Sequence, residues 1–268
     1  MATLERQLGH YEEQGYVIVD DAVDAAMLDE LEAAGRRVRD KVRSGQVDVE
    51  SIRGAQREPQ VIWGLIAPDY GEPVFAEYLV SRPLEAYVQA FLGPELRLGF
   101  AVIFCTGNQV PYDSGWHRDL GGADRGASRT KELALLNRPR HHLKWHLGLV
   151  DDPCLRIVPG SHRRCRTKEE REILSAGNGD DMPGEERIYL RRGQTVFWNG
   201  NTIHRGAAPP DLKERMTLHG GLTQFREDEP IEEKLDERFR WRLSPHIRTN
   251  LPDKMKLYYD RWRALQPL

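Results

Sequence analysis

The sequence is poor in cysteine, in long apolar runs and in charge of either sign in excess. Its three cysteines, Cys105, Cys154 and Cys165, form no CxxC pair, and an odd count gives no disulfide framework, so a reducing cytoplasm is the expected setting. No apolar run approaches the length that spans a bilayer, and the stretch from Leu4 to Gln14 is too polar for the core of a signal peptide. The 39 Lys and Arg nearly balance the 42 Asp and Glu, and the net charge of -3 supplies no basic field for nucleic acid or an anionic membrane. There is no internal repeat and no low-complexity segment. What is present is ordinary globular material: 268 residues, 39% apolar and 30% charged, enough for one large domain over 1–268 with a buried core.

Helical spacing predicts three helices before residue 95, a helical support for the rest of the chain. The first covers about 4–14 and stops at Gly15. The second covers 25–43, with Leu28, Leu31, Val38 and Val42 on one face, and stops at Gly45; the third covers 83–91 and ends at Gly93-Pro94. Tyr16-Val17-Ile18-Val19 reads as a short buried strand. From Leu96 to about 225 the period changes to two, in short runs at 98–104, 142–150, 155–158, 186–190, 195–198 and 215–222. Short alternating runs punctuated by Gly, Pro, Asn and Asp predict a mainly β protein, a sandwich or barrel of antiparallel strands with flanking helices. Residues 121–140 and 175–186 are expected to be long loops over a site. The tail, 226–268, returns to helical spacing through Ile231, Leu235 and Phe239, then Met255, Tyr258, Trp262 and Leu265.

One His-x-Asp pair occurs, His117-Arg118-Asp119. On a strand, residues i and i+2 share a face, so the imidazole and the carboxylate can converge on one metal ion. The pair is weak alone and gains weight from residues 195–206, which read as strand, tight turn and then His204. Two histidines and a carboxylate on one face of an iron leave three positions, enough for a bidentate 2-oxo acid and O₂. A guanidinium suits the far carboxylate of such an acid, and Arg215 lies eleven residues beyond His204 (215 − 204), with Thr217 in phase to add a hydroxyl. In 142–150 the apolar Leu143, Trp145, Leu147 and Leu149 alternate with His142, Lys144, His146 and Gly148. If the apolar set packs on helices, Lys144 or His146 faces the interior; with the parity reversed it is Trp145. Trp116 and Arg118 are candidates for substrate contact, and the basic residues between Arg118 and Arg140 would draw in an anionic small molecule. His162 is expected to fix a turn, and His141, His142 and His219 to carry no chemistry. The aromatic tail helix is expected in the core or in a dimer contact, the chain being a monomer or a homodimer.

Taken together, these segments resemble the phytanoyl-CoA dioxygenase-like family of iron(II)/2-oxoglutarate oxygenases. The resemblance runs from Tyr11-Glu12-Glu13-Gln14-Gly15-Tyr16 through Arg82-Pro83-Leu84, Phe91-Leu92-Gly93-Pro94 and Trp116-His117-Arg118-Asp119. It continues through Val158-Pro159-Gly160-Ser161-His162 and Gly193-Gln194-Thr195 to His204 and Arg215. It implies a double-stranded β-helix, a cupin-like jelly roll over 96–225, with the N-terminal helices packed outside. It also implies iron(II) on His117, Asp119 and His204, 2-oxoglutarate on Arg215 with a residue of 142–150 beside it, and O₂ as oxidant. The implied activity is oxidation, by hydroxylation first of all, of an unactivated C–H bond of a small molecule, with succinate and CO₂ formed, in bacterial small-molecule or natural-product metabolism. The sequence departs from the family in one visible place, the connection 150–153, which is short and lacks the common Asn-Gly. Asp119 is kept where halogenating relatives carry Gly or Ala, which favours hydroxylation, or a related desaturation or ring formation, over halogenation. The competing expectations are a cupin-like metalloenzyme that does not use 2-oxoglutarate and a non-catalytic binding protein; neither would form succinate.

Overall fold

The computed structural model describes residues 2–54, 57–106, 112–119, 127–138, 141–177, 181–228 and 237–266. The first helix, α1 (Ala2–Gln14), ends where Gly15 takes a left-handed turn (φ +83°) into β1 (Tyr16–Val19). The longest helix, α2 (Ala25–Ser44), is capped by Asp24, whose side chain accepts from the Met27 N–H at 2.8 Å, and closed by Gly45. Next come β2 (Glu50–Arg53), β3 (Pro59–Trp63), α3 (Val74–Leu79), α4 (Arg82–Leu92) and β4 (Leu96–Thr106). The rest of the chain supplies α5 (Arg129–Leu136), β5 (His142–Gly148), β6 (Asp152–Ile157), α6 (Lys168–Ala176), β7 (Glu186–Leu190), β8 (Thr195–Trp198), β9 (His204–Gly206), β10 (Arg215–Gln224), α7 (Pro245–Thr249) and α8 (Asp253–Ala264).

The strands form two antiparallel sheets, one in the order β1-β8-β5-β10-β4-β3-β2 and the other β7-β6-β9. They share a small apolar cluster of Leu155 and Ile157 from β6, Ile188 and Leu190 from β7, and Val196 and Trp198 from β8. This is the jelly-roll core expected from the sequence, open at its edges rather than a closed barrel. The outer face of the large sheet carries the main core. There Leu143, Trp145 and Leu147 of β5, Phe197 of β8 and Met216 and Leu218 of β10 meet apolar residues of α2, α3, α4 and α8. The pleat therefore turns Lys144 and His146 of β5 inward, together with Arg215, Thr217 and His219 of β10.

Strand β10 holds its register on β4 through one irregularity. Gly221 pairs with Phe100 and Leu222 with Leu98, which leaves Gly99 as the extra residue of a bulge. A Cβ at Gly99 would stand 2.1 Å from the Gly221 carbonyl oxygen, which is backbone and cannot swing away. Gly99→Ala is expected to cost about 1–3 kcal/mol, read as a lower urea midpoint with an unchanged denaturant slope.

Several expectations change. Residues 129–136, expected inside a long loop, form α5, with Ser128 capping the Lys131 N–H; residues 120–126 and 139–140 lie outside the described set. Ser175 and Ala176 close α6 instead of opening a loop, and its reciprocal Thr167/Glu170 capping box was legible in the sequence as Thr-x-x-Glu. The N-terminal segment is not helical support alone, because it contributes β1, β2 and β3 to the large sheet. Of the expected helix through Ile231, Leu235 and Phe239, residues 229–236 fall outside the described set and Glu237–Leu243 forms a 3₁₀ helix, while the tail helix is confirmed as α8, with Tyr258, Tyr259 and Trp262 buried in the main core. No described helix is long and apolar enough to cross a membrane.

Candidate active site

His117 and His204 face each other across an isolated bridge, each backbone N–H donating to the other's carbonyl at 2.9 Å. The Asp119 N–H donates to the Gly200 carbonyl at 2.7 Å, so one side of the site is built by the turn that precedes β9. Glycine at 200 leaves room for the acid: a Cβ there would sit 3.0 Å from the Asp119 carboxylate. Each ligand imidazole has its Nδ1 on a backbone carbonyl, His117 on Gly115 and His204 on Thr202, both at 2.8 Å. That contact fixes the ring and leaves Nε2 as the lone-pair nitrogen. The two Nε2 atoms stand 4.0 and 3.7 Å from Asp119 oxygens, and one ligand atom from each residue lies within 4.8 Å of the others.

The charge states suit a cation. Burial pushes the Asp119 carboxyl up, but the charges of His204 and Lys144 outweigh it and hold it well below the ordinary carboxylate range. Burial lowers His204 to about 3, so it is neutral and able to ligate at pH 7. Lys144, expected beside the cosubstrate, sits on this acid with Nζ 2.8 Å from Asp119 Oδ2. Two imidazoles and a carboxylate on one face are the donor set of non-haem iron(II) sites, so the residues present fit that ion.

A cavity of about 300 Å³ opens against the three ligands. Its aromatic wall is Trp63, Phe100, Phe104, Tyr112 and Trp198, and its polar lining includes Lys144, His146, His219 and Arg215. A larger cavity, about 660 Å³, lies among α1, α5 and the start of β5 and contains none of the ligands, so the smaller one is the chemical site. Arg215 is 1% exposed, its guanidinium carbon 4.7 Å from the Phe104 ring centre and 4.9 Å from that of Tyr112. Its Nε lies 3.2 Å from Asp152 Oδ2, while Nη1 is buried with no hydrogen-bond partner among the described residues. A guanidinium nitrogen without a partner among the described residues, on a side chain that lines the same cavity as two imidazoles and a carboxylate, fits a carboxylate that arrives with a ligand.

His146 and His219 lie opposite one another in the β5–β10 register, between the pair Lys144↔Gly221 and the pair Gly148↔Thr217. They therefore stand between Lys144, which holds Asp119, and the Thr217–Arg215 end of β10, with ring centres 4.5 Å apart. His146 Nδ1 and His219 Nε2 are buried without hydrogen-bond partners among the described residues. Burial first, and neighbouring charge second, lowers His146 to about 3 and His219 well below its ordinary value, so both rings are neutral.

Other expected site residues are placed elsewhere. Trp145 is fully buried on the opposite face of β5, against the helices. Thr217 donates to Asp152, because a fully buried hydroxyl needs a partner and the acid is adjacent. Trp116 packs with Val158, Leu174, Met182 and Ile203. Arg118 is 3% exposed, with its guanidinium committed to Glu132 and to the carbonyls of Ser161 and Arg164. Both flank His117, and in an extended segment alternate residues point away from the ligand face. His162 Nε2 lies 3.1 Å from the Glu12 carbonyl, tying its turn to α1 as expected. Among the residues of the site not expected from the sequence are the aromatic wall, His219, although it shares the phase of Arg215 and Thr217, and, behind the cavity, Asp152.

A model of the Phytanoyl-CoA dioxygenase (PhyH) family matches residues 11–209. The chain belongs to that family. As a phytanoyl-CoA dioxygenase family member it is an iron(II)- and 2-oxoglutarate-dependent enzyme of the oxygenase type, with dioxygen as co-reactant. Solved structures share the fold at low identity. The 2-oxoglutarate-dependent epimerase SnoN from nogalamycin biosynthesis is 21% identical at TM-score 0.58, over 84% of this chain and 82% of that one. EctD from S. alaskensis, solved with 2-oxoglutarate and 5-hydroxyectoine, is 18% identical at TM-score 0.62, over 82% and 76%. AviO1 from Streptomyces viridochromogenes Tue57 is 16% identical at TM-score 0.61, over 82% and 94%. Among curated proteins, none matches this sequence.

Proposed function

We propose that this oxygenase hydroxylates an unactivated C–H bond of a small molecule in bacterial natural-product or other small-molecule metabolism, acting as one unit over 1–268. The observation that carries the reading is the shared cavity, lined by His117, Asp119 and His204 and also by Arg215, whose Nη1 is buried without a hydrogen-bond partner among the described residues. When bound, iron(II) would activate dioxygen, the oxidant, with 2-oxoglutarate giving two of the electrons and leaving as succinate and CO₂. The chain's own residues do the rest. His117, Asp119 and His204 would hold the ion, and Arg215 would take the far carboxylate of 2-oxoglutarate. The neutral His146 and His219 line the space between without adding charge. The aromatic wall keeps water from the reacting centre and presents a flat apolar surface to the substrate. The natural-product part is supported by the fold shared with the nogalamycin enzyme SnoN.

Arg215→Met keeps the length and removes the charge. Titrating 2-oxoglutarate into iron(II)-loaded protein under argon, followed by the visible band of the iron–2-oxo acid chelate, should show about 10- to 100-fold weaker binding than wild type, the scale of 1.5–3 kcal/mol for bonds to a charged group. Unchanged affinity would remove Arg215 from the cosubstrate site. Iron binding with no chelate band in the wild type would favour a cupin-like metalloenzyme that does not use 2-oxoglutarate.

A further inference from the structure

Asp152 opens β6 in the small sheet, 1% exposed, directly behind Arg215 of the large one. Both its oxygens are used. Oδ1 accepts the Cys154 N–H at 2.8 Å, while Oδ2 takes Arg215 Nε at 3.2 Å and the Thr217 hydroxyl. Burial pushes this carboxyl up, but the charge of Arg215 and the bonds from Cys154 and Thr217 outweigh it and hold it at about 2, so it is ionised. A buried acid beside a buried guanidinium adds little net stability, since both must be stripped of water. Its effect is directional. The guanidinium is planar and has three edges; Asp152 holds the Nε side, the Phe104 and Tyr112 rings flank the group, and Nη1 is buried without a hydrogen-bond partner among the described residues, on a side chain that lines the cavity. Asp152 itself does not line that cavity.

We propose that Asp152 is a positioning residue for the cosubstrate: by holding Arg215 Nε it aims the guanidinium and so sets the affinity for the far carboxylate of 2-oxoglutarate. This rests on the assignment of Arg215 to that carboxylate. Asparagine at 152 keeps one oxygen for the Cys154 N–H but turns an NH₂ donor toward the Arg215 Nε donor, which displaces the aim while leaving Arg215 in place.

The test compares 2-oxoglutarate with 2-oxobutyrate, which has the same 2-oxo acid head and no far carboxylate. Both are titrated anaerobically into iron(II)-loaded protein, with quenching of the cavity tryptophans and the chelate band as readouts. In Asp152→Asn the dissociation constant for 2-oxoglutarate should rise about tenfold while that for 2-oxobutyrate stays within about twofold. Added to Arg215→Met, the same change should have no further effect on the preference between the two acids. Should Asp152→Asn fail to fold, Asp152→Ser, which is smaller and keeps an oxygen for the Cys154 N–H, is expected to behave alike. Equal weakening of both acids would reduce Asp152 to a structural ion pair and overturn the proposal, as would an unchanged affinity for 2-oxoglutarate. If instead Arg215→Met leaves the preference for 2-oxoglutarate intact, the Arg215 assignment has failed first and the role of Asp152 falls with it.

Discussion

Replacing His204 with alanine should abolish tight iron binding and, with it, 2-oxoglutarate turnover. His204 opens β9, is 4% exposed and has its Nδ1 anchored on the Thr202 carbonyl, so its Nε2 is held toward Asp119 before any ion arrives. Because burial keeps the ring neutral down to about pH 3, no proton has to leave when the ion binds at neutral pH. Alanine leaves His117 and Asp119, one imidazole and one carboxylate. Removing a residue that merely supports a ligand typically costs 10- to 100-fold in metal affinity, so losing a ligand should cost more than about 100-fold. The backbone bonds between residues 117 and 204 survive, since they involve no side chain. Circular dichroism should therefore match wild type while iron retained through gel filtration falls to background. Near-normal retention of iron would show that these three residues are not the metal centre.

The second large effect lies away from the cavity. Glu132 of α5 is fully buried, with one oxygen on Arg118 and on Arg166 Nε (2.7 Å) and the other on Arg171. Glu132→Gln takes away the charge that these three arginines share. Breaking a buried pair from one side usually costs 3–5 kcal/mol, and about that much loss is expected in urea unfolding at pH 7. Burial raises the Glu132 pKa, but the arginines outweigh it and the net shift is downward. The folded value thus lies below the unfolded one. The stabilisation is fully present above about pH 4.3, the ordinary glutamate value, and is lost as pH falls through the lower folded value. Wild type should therefore weaken on acidification below about pH 4.3, whereas Glu132→Gln should show a flatter profile there. A loss under about 1 kcal/mol at pH 7, or two parallel pH profiles, would count against this role. Since Arg118 sits between His117 and Asp119, the same network braces the segment proposed to hold the metal.

What could be read from the chain beforehand divides along the range of the interactions. His117, Asp119 and His204 were legible as candidates because a two-residue period on an extended segment and a turn before the next strand are local patterns, to which the family resemblance added the weight that spacing lacks. Period-two alternation in β5 also separates Lys144 and His146 from Trp145, since the apolar set must lie on the helices. The same rule, applied to Arg118 and Trp116, turns them away from the ligand face, and applied to β10 it would have added His219. Asp152 was not legible: it meets Arg215 across 63 residues of sequence, and nothing in Val150-Asp151-Asp152-Pro153 marks one aspartate as the buried one. The strands β2 and β3 escaped for a different reason. Glu50–Arg53 has a single apolar side chain, Ile52, and that one is exposed, so pairing with β3 rather than burial makes it a strand.

The placement of β1 bears on how such a molecule is made. Tyr16–Val19 pairs with β8, through Tyr16↔Trp198 to Val19↔Thr195, so a segment must wait for a partner that is synthesised much later. Contacts this distant in sequence slow folding, because a long loop is closed before any pairing repays its entropy. Until then β8, which carries Trp198 against His204, has an unpaired edge of the kind that invites association with other chains. His117, Asp119 and His204 would thus be complete in sequence while the large sheet beside them still lacks its border strand, and a nascent chain held at that stage would be the form most prone to aggregate.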